Sequence, residues 1–434
     1  MDFSILIFIF TIVCMIFFII FKPEIKIFKY NISSFWLITL IGSILTILTK
    51  SVSLTSIWTN ITSKTMNPIK ILILFISLSF ISISLDELNF FNYLSSFALK
   101  KAKGNQYKIF FTIYIMVSLL TIFTSNDIVI LTFTPFICLF AKKAKINPLP
   151  YLICEFVNAN TYSMLLSIGN PTNIYLSSSQ NISFIYYLSK MWLPTILAGI
   201  STLIVILLVF RKSLNKKISD ISLEEVKLKN KPLVIINLGI LLLTTIFLVI
   251  SNYINLEMYL ICLTSLIILS IVLLVASIKF KDKSYILNSY KRLPYNLIPF
   301  IISMFILVLS LKDNGYIIYI QNFFDKLSIN NISTSFTYTI SSTLLDNVIN
   351  NIPMSILYSS VLEGKSEIAV FGSIIGSNIG AYLSPIGALA GIMWMSLLKK
   401  YDIKYSFLDF IKYGLILVPV SLIFSTLGLI ILYI

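Results

Sequence analysis

The chain has 434 residues, of which 57% are hydrophobic and only 12% charged. Apolar runs of membrane-spanning length recur from end to end, which excludes a soluble globular protein and leaves a polytopic membrane protein. The net charge of +15 collects between those runs, where it reports topology rather than a nucleic-acid partner, and the lack of histidine removes His-based zinc sites and histidine proton relays.

The first run, residues 3–21, follows an acidic Met1-Asp2 and precedes Lys22-Pro23 without a small-residue cleavage site, so it reads as a retained helix and not a signal peptide. Further spans are predicted at 35–49 and 69–85, followed by a polar, basic stretch at 86–108. Two apolar runs, 110–123 and 128–140, then flank Thr124-Ser125-Asn126-Asp127. Each has roughly 14 residues, short of the roughly 20 that a crossing needs. Lys142, Lys143 and Lys145 follow, then an apolar stretch at 149–178 interrupted by Gly169-Asn170-Pro171, then 192–210. A central loop, 211–231, carries seven Lys/Arg against Asp220, Glu224 and Glu225. The remaining runs are 233–250, 259–278, a basic loop at 279–292, 297–311, two short runs joined at Asn350-Asn351-Ile352-Pro353, 371–398 broken at 377–387, and 407–434.

The halves repeat. Ser84 matches Ser310, Ser125 matches Ile349 and Asn160 matches Asn378, at separations of 226, 224 and 218 residues. A duplicated unit, with a polar Gly/Pro-interrupted segment at corresponding places in both copies, is the sequence sign of a secondary transporter's binding site. A regulated anion channel or sensor has no need of both interruptions.

Charge sets the topology. The basic loops 211–231 and 279–292 are two spans apart, hence on one side, and that side is the cytoplasm. If the runs around Asp127 form a re-entrant hairpin, Lys100, Lys101, Lys103, Lys108, Lys142, Lys143 and Lys145 join them there. Each half then has about five crossings plus a hairpin and a broken helix, and an odd number of crossings inverts one copy against the other. The predicted fold is thus an all-α polytopic membrane protein of two inverted-topology repeats, with about 10 to 12 transmembrane segments by hydropathy. The repeats are 1–210 and 232–434, with 211–231 as a cytoplasmic linker in a multi-pass inner-membrane protein.

A hairpin tip or a broken helix at membrane depth leaves backbone groups unpaired unless they face protein or a water-filled cavity. Side chains offered there for substrate are Ser125, Asn126, Asn350 and Asn351 from the tips. The broken helices add Asn158, Asn160, Thr161, Asn170, Thr172, Asn173, Ser377, Asn378 and Ser384. Pro171, Pro353 and Pro385 mark helix restarts. Asp127, a carboxylate at hydrocarbon depth, is the candidate for proton or ion coupling, with Glu155 and Asp346 as further carboxylates able to carry a proton. No Arg or Lys falls inside the inferred core. The isolated cysteines Cys14, Cys138, Cys154 and Cys262 read as small apolar packing groups, neither metal ligands nor disulfides. No cofactor is expected, and without a P-loop the chain is not expected to be an enzyme.

At Ser84-Leu85-Asp86-Glu87 with Phe90-Phe91, Asn126-Asp127 with Leu131 and Thr134-Pro135, Asn170 with Asn173-Ile174, Asn350-Asn351 with Pro353, and Ser384-Pro385-Ile386-Gly387 with Leu389-Ala390 and Trp394, the sequence resembles the ion transporter superfamily. That superfamily includes arsenical pump membrane proteins, citrate and dicarboxylate carriers and sodium/proton antiporters. Asn-Asn-x-Pro at 350–353 is closest to the bacterial arsenite efflux permeases, whereas Gly169 to Asn173 is more like the broader anion-permease pattern. The resemblance implies proton-driven export of arsenite and antimonite, in some members with a soluble ATPase subunit on the cytoplasmic loops. A sodium- or proton-coupled carrier of citrate, a dicarboxylate or another small oxyanion is the second reading. A homodimer in the bilayer remains open.

Overall fold

A computed structural model of the protein describes residues 3–22, 24–27, 30–62, 67–101, 105–216, 226–251 and 253–433. Met1, Asp2, Pro23, Lys103, Asp220, Glu224 and Glu225, which entered the sequence argument, lie outside the described residues.

The first half begins with α1 (Ser4–Phe21), then a two-stranded antiparallel hairpin, β1 (Glu24–Ile27) and β2 (Tyr30–Ser33), in which Glu24 pairs with Ser33. This hairpin is a departure from the all-helical expectation. Its alternation, Glu24-Ile25-Lys26-Ile27, has the period of a strand and is too short to register among long apolar runs. Next come α2 (Ser34–Leu48), α3 (Leu54–Ile61), α4 (Pro68–Glu87), α5 (Phe90–Lys101), α6 (Gln106–Phe123), α7 (Asn126–Ala144) and α8 (Leu149–Tyr162). Two 3-10 turns lead into α9 (Pro171–Ser179), and α10 (Phe184–Leu214) closes the half. The second half contains α11 (Lys231–Ile250), α12 (Met258–Lys279), α13 (Ser284–Lys291), α14 (Leu297–Asp313), α15 (Tyr316–Leu327), α16 (Asn331–Ile349), α17 (Asn351–Val361), α18 (Glu367–Gly380), α19 (Leu389–Lys400) and α20 (Phe407–Ile431).

Among the described residues, six helices have the length and hydropathy to cross a membrane: α4, α6, α10, α11, α12 and α20. A seventh is the pair α14 and α15 taken together, although it bends by 79° at the joint. The larger number of apolar segments seen in sequence includes shorter apolar pieces such as α2 and α18 and the halves of split helices. From α4 to α10 and from α14 to α20 the order of elements is the same: long helix, short helix, two-legged turn, split helix, long helix.

Hydrogen bonds fix the direction of the legs around Asp127. Tyr151 of α8 donates to Gln106 of α6, and Asn158 of α8 donates to the Tyr114 carbonyl, so residue numbers rise together and α6 runs parallel to α8. Asn126 of α7 donates to Asn160 and Thr134 to Glu155, so numbers on α7 rise as those on α8 fall. The chain therefore doubles back at Thr124-Ser125. The legs, however, have 18 and 19 residues and are not the short runs expected from hydropathy. Asn105 caps Lys108 N–H and so extends α6 beyond its apolar part, while α7 continues through Lys142 and Lys143 to a left-handed Lys145.

The second turn is also a reversal. Tyr358 of α17 donates to Ser341 of α16 at 2.7 Å. In a continuous helix those residues, 17 apart, would be separated by about 25 Å.

Candidate functional site

At the first tip α6 ends with Thr124, whose hydroxyl and N–H both donate to the Leu120 carbonyl. Ser125 is extended, and α7 restarts with Asn126 and Asp127 in its first turn. A carboxylate is favoured at that helix end by the orientation of the peptide dipoles. At the second tip Asn350 adopts φ 75° and ψ 152°, a combination otherwise left almost entirely to glycine and held here by the bonds around it. Its amide donates to the Ile386 carbonyl at 2.8 Å, and Asn351 N–H donates to the Gly387 carbonyl at 3.0 Å. The second tip is thereby fastened to the break between α18 and α19. The break between α8 and α9 depends on Gly169, where an added Cβ would lie 2.2 Å from the Ser163 carbonyl oxygen.

Both tips open on one cavity of about 650 Å³. Ser125, Asn126 and Asp127 of the first tip, Asn351 and Ile352 of the second, and Asn170-Pro171 at the start of α9 line it. Phe75, Ser79 and Ile83 of α4 and Leu389-Ala390 of α19 complete the deep wall. Glu24, Arg292, Asn296 and Lys400 line its outer part.

The deep end is a set of hydrogen-bond acceptors. Asn126 uses its amide N–H on Asn160 at 3.2 Å, which leaves its Oδ1 buried and unpartnered. The Ser125 hydroxyl is likewise buried without a partner. Asp127 is half-buried, and its carboxylate makes no hydrogen bond among the described residues. Groups left in this condition call for a donor or a cation from outside the protein.

The other predicted residues are brought close to this set but are used internally. Asn378 accepts from the Ser163 hydroxyl at 3.0 Å and from Asn170 at 3.1 Å, and donates to Asn173 at 2.6 Å. Asn173 in turn donates to the Ser163 carbonyl. This buried network joins the two split helices across the halves. Asn158 donates to Ser118, Thr161 to Tyr382, and Ser384 to Asn347. Thr172 and Ser377 have buried hydroxyls without partners, but neither lines the cavity.

The two further carboxylates differ. Glu155, fully buried on α8, accepts from the Thr134 hydroxyl and from Trp394 Nε1–H, each at 3.2 Å, and so ties α7, α8 and α19 together. Asp346 of α16 is fully buried with both oxygens unpartnered, against the backbone at Gly380. Trp394→Phe should lower the unfolding free energy by about 1–3 kcal/mol, the cost of leaving a buried acceptor short of a donor. Thermal unfolding in detergent checks it, and a midpoint equal to wild type would show that the indole N–H carries no such weight.

Unlike Asp127, the charged residues of the outer cavity wall were not legible in sequence. Arg292 donates through Nη1 to Glu87 and through Nη2 to Asp86, each at 2.6 Å, and Asn288 also donates to Glu87. Burial acts to lower the Arg292 pKa, but the hydrogen bonds and charges of these two carboxylates outweigh it and the net direction is upward. No sequence spacing links groups about two hundred residues apart, so a cation counted as part of a basic loop proves to be part of the cavity wall.

At the other end of α4 lies a second cavity of about 440 Å³, lined by Lys70, Leu74, Ser178, Asn181 and Glu257 among others. Lys70 is paired with Glu257 and lies 5.3 Å from the Tyr259 ring centroid. Leu74 faces this space and its neighbour Phe75 the larger one, so on α4 the two cavities are one residue apart.

Comparison with known proteins follows the same direction. The profile of a family described as "Citrate transporter" matches residues 15–370. The "Putative arsenical pump membrane protein" of Bacillus subtilis (strain 168) is 24% identical over 416 residues, covering 88% of this chain and 91% of its own. The "Arsenical pump membrane protein" of Escherichia coli is 24% identical over 368 residues, covering 82% and 84%. In fold, the crystal structure of the Alcanivorax borkumensis YdaH transporter is similar at a TM-score of 0.59 and 10% identity, over 99% of this chain and 98% of that one.

Proposed function

We propose, from the premise that the chain belongs to the citrate transporter family of membrane transporters, that it exports neutral arsenite and antimonite in exchange for protons. The observation that carries this reading is the deep end of the cavity, where Asp127, Asn126 Oδ1 and Ser125 offer acceptors while the arginine in the wall, Arg292, is occupied by two carboxylates. As(OH)3 brings three O–H donors and no charge. A soft cage of thiols would hold it too firmly to release it, and the four cysteines are all free and absent from the cavity lining.

In this reading Asp127 alternately takes up a proton and accepts from substrate. The basic loops place the Arg292–Lys400 end at the cytoplasm, so the larger cavity is the inward-open one. The second cavity is the outer half of the same path, separated at Leu74-Phe75. Two inverted repeats meeting at the tips would supply the exchange between inward and outward states.

A second reading, a sodium- or proton-coupled carrier of citrate or another dicarboxylate, is favoured by Arg292 and Lys400 at the cavity and by the description of the family. Accumulation of labelled arsenite by everted membrane vesicles decides between them. The first reading expects uptake that depends on a proton gradient. Gradient-driven citrate movement with no arsenite uptake would replace it.

A further inference from the structure

Resting on the neutral-substrate reading, we infer that Asp86, Glu87 and Arg292 form an anion filter at the cavity entrance, which passes an uncharged hydroxide and turns away carboxylates and oxyanions. An arginine in the wall of a transport cavity would ordinarily be the group that grips an anionic substrate, because its planar fork matches a carboxylate or phosphate. Here one N–H of each arm of the fork is committed to a protein carboxylate at 2.6 Å, and the two carboxylates together outweigh its charge. The cluster therefore carries one net negative charge where a lone Arg292 would carry a positive one.

Its construction is not what helix stability alone would select. Asp86 and Glu87 end α4, and carboxylates are disfavoured at a helix C-terminus by the peptide dipoles. They are held there by Arg292 and Asn288. Arg292 lines the cavity and the two acids do not, and their side chains are 11% and 13% exposed against 37% for Arg292, so the acids lie behind the guanidinium. The remaining charged groups on the wall are Glu24, Asp127 and Lys400, so the lining without the cluster has two acids to one base. An anion entering the cavity meets no uncompensated arginine, whereas a neutral solute meets nothing adverse. Repulsive elements of this kind are how a site rejects a competitor without weakening its own substrate.

The test is citrate affinity, read as thermal stabilisation of the purified full-length protein and as inhibition of arsenite uptake in everted vesicles. Asp86→Asn with Glu87→Gln keeps an acceptor oxygen for each guanidinium arm and removes both charges. Citrate affinity should then rise at least about tenfold over wild type, since charge complementarity of this sort governs discrimination between ligands. Adding Arg292→Gln to the double variant leaves the cluster uncharged and should cut the gain to no more than that of Asp86→Asn alone. An unchanged affinity in the double variant, or the full gain persisting without Arg292, overturns the filter. Should the double variant fail to fold, Asp86→Asn alone, which brings the cluster to neutrality, is expected to show a smaller gain, and none would be equally decisive. Arsenite uptake by the wild type reports separately on the underlying reading, because the filter is measured only as a ratio of citrate affinities.

Discussion

Asp127→Asn is expected to reduce gradient-driven arsenite uptake in everted vesicles to the level of vesicles lacking the protein. The residue lies in the first turn of α7, lines the cavity shared by both tips, and has no hydrogen-bond partner among the described residues. Asparagine has the same shape and keeps an acceptor, so the helix end and the cavity should survive. What it cannot do is take up and release a proton. Substrate affinity should consequently change by less than about tenfold, the equivalent of roughly one neutral hydrogen bond. The informative pattern is retained binding with lost coupling: labelled arsenite still exchanges with unlabelled arsenite, but no longer accumulates when a proton gradient is applied. Full accumulation by the variant would remove Asp127 from the coupling step, and a variant that neither binds nor folds would assign it a structural role. Glu155→Gln separates the two carboxylates further. Glu155 already accepts from Thr134 and Trp394, so its loss should appear in stability before it appears in coupling.

The polar centre was legible because its residues violate the composition around them. Ser125-Asn126-Asp127 and Asn350-Asn351 stand at breaks in apolar runs, and both tips do meet at one cavity. Leg length misled, since Asn105 and the lysines after Phe140 extend the helices into polar sequence that hydropathy discounts. Among the asparagines, sequence could not separate those that face the cavity from those that face each other. Asn170 and Asn173 are three residues apart and both bond Asn378, yet Asn170 also lines the cavity and Asn173 does not. That division depends on how split helices from opposite halves interlock, which is a long-range property. The same holds for Arg292. Its role comes from the end of α4, and nothing within its own loop signals it.

Gly376→Leu is expected to cost more stability than any other single change considered for this chain. Gly372, Gly376 and Gly380 recur every fourth residue on α18, on the face that meets α16. Small residues at that spacing let helix backbones approach closely inside a bilayer. A Cβ at Gly376 would lie 1.9 Å from the Ser342 hydroxyl and 2.2 Å from the Thr339 carbonyl oxygen. The hydroxyl can rotate away, but the carbonyl is backbone, so α16 itself has to move. Two bonds that depend on the approach would stretch with it: Thr343 to the Gly376 carbonyl at 3.1 Å and Asn347 to the Gly380 carbonyl at 3.0 Å. Overpacking plus those losses amounts to about 3–5 kcal/mol for leucine, with alanine at the lower end. The consequence reaches the transport site, because α16 ends at Asn350 and Asn351 N–H is anchored on Gly387. Displacing the leg pulls that tip away from the break it caps. Gly376→Ala should therefore impair arsenite uptake at temperatures where the protein is still folded, whereas Gly239→Ala on α11, with no atom within 4 Å of the added carbon, should leave both uptake and melting temperature close to wild type. Equal melting temperatures for the two alanine variants would mean that the glycine seam is looser than its geometry indicates, and the coupling of helix packing to the second tip would fall with it.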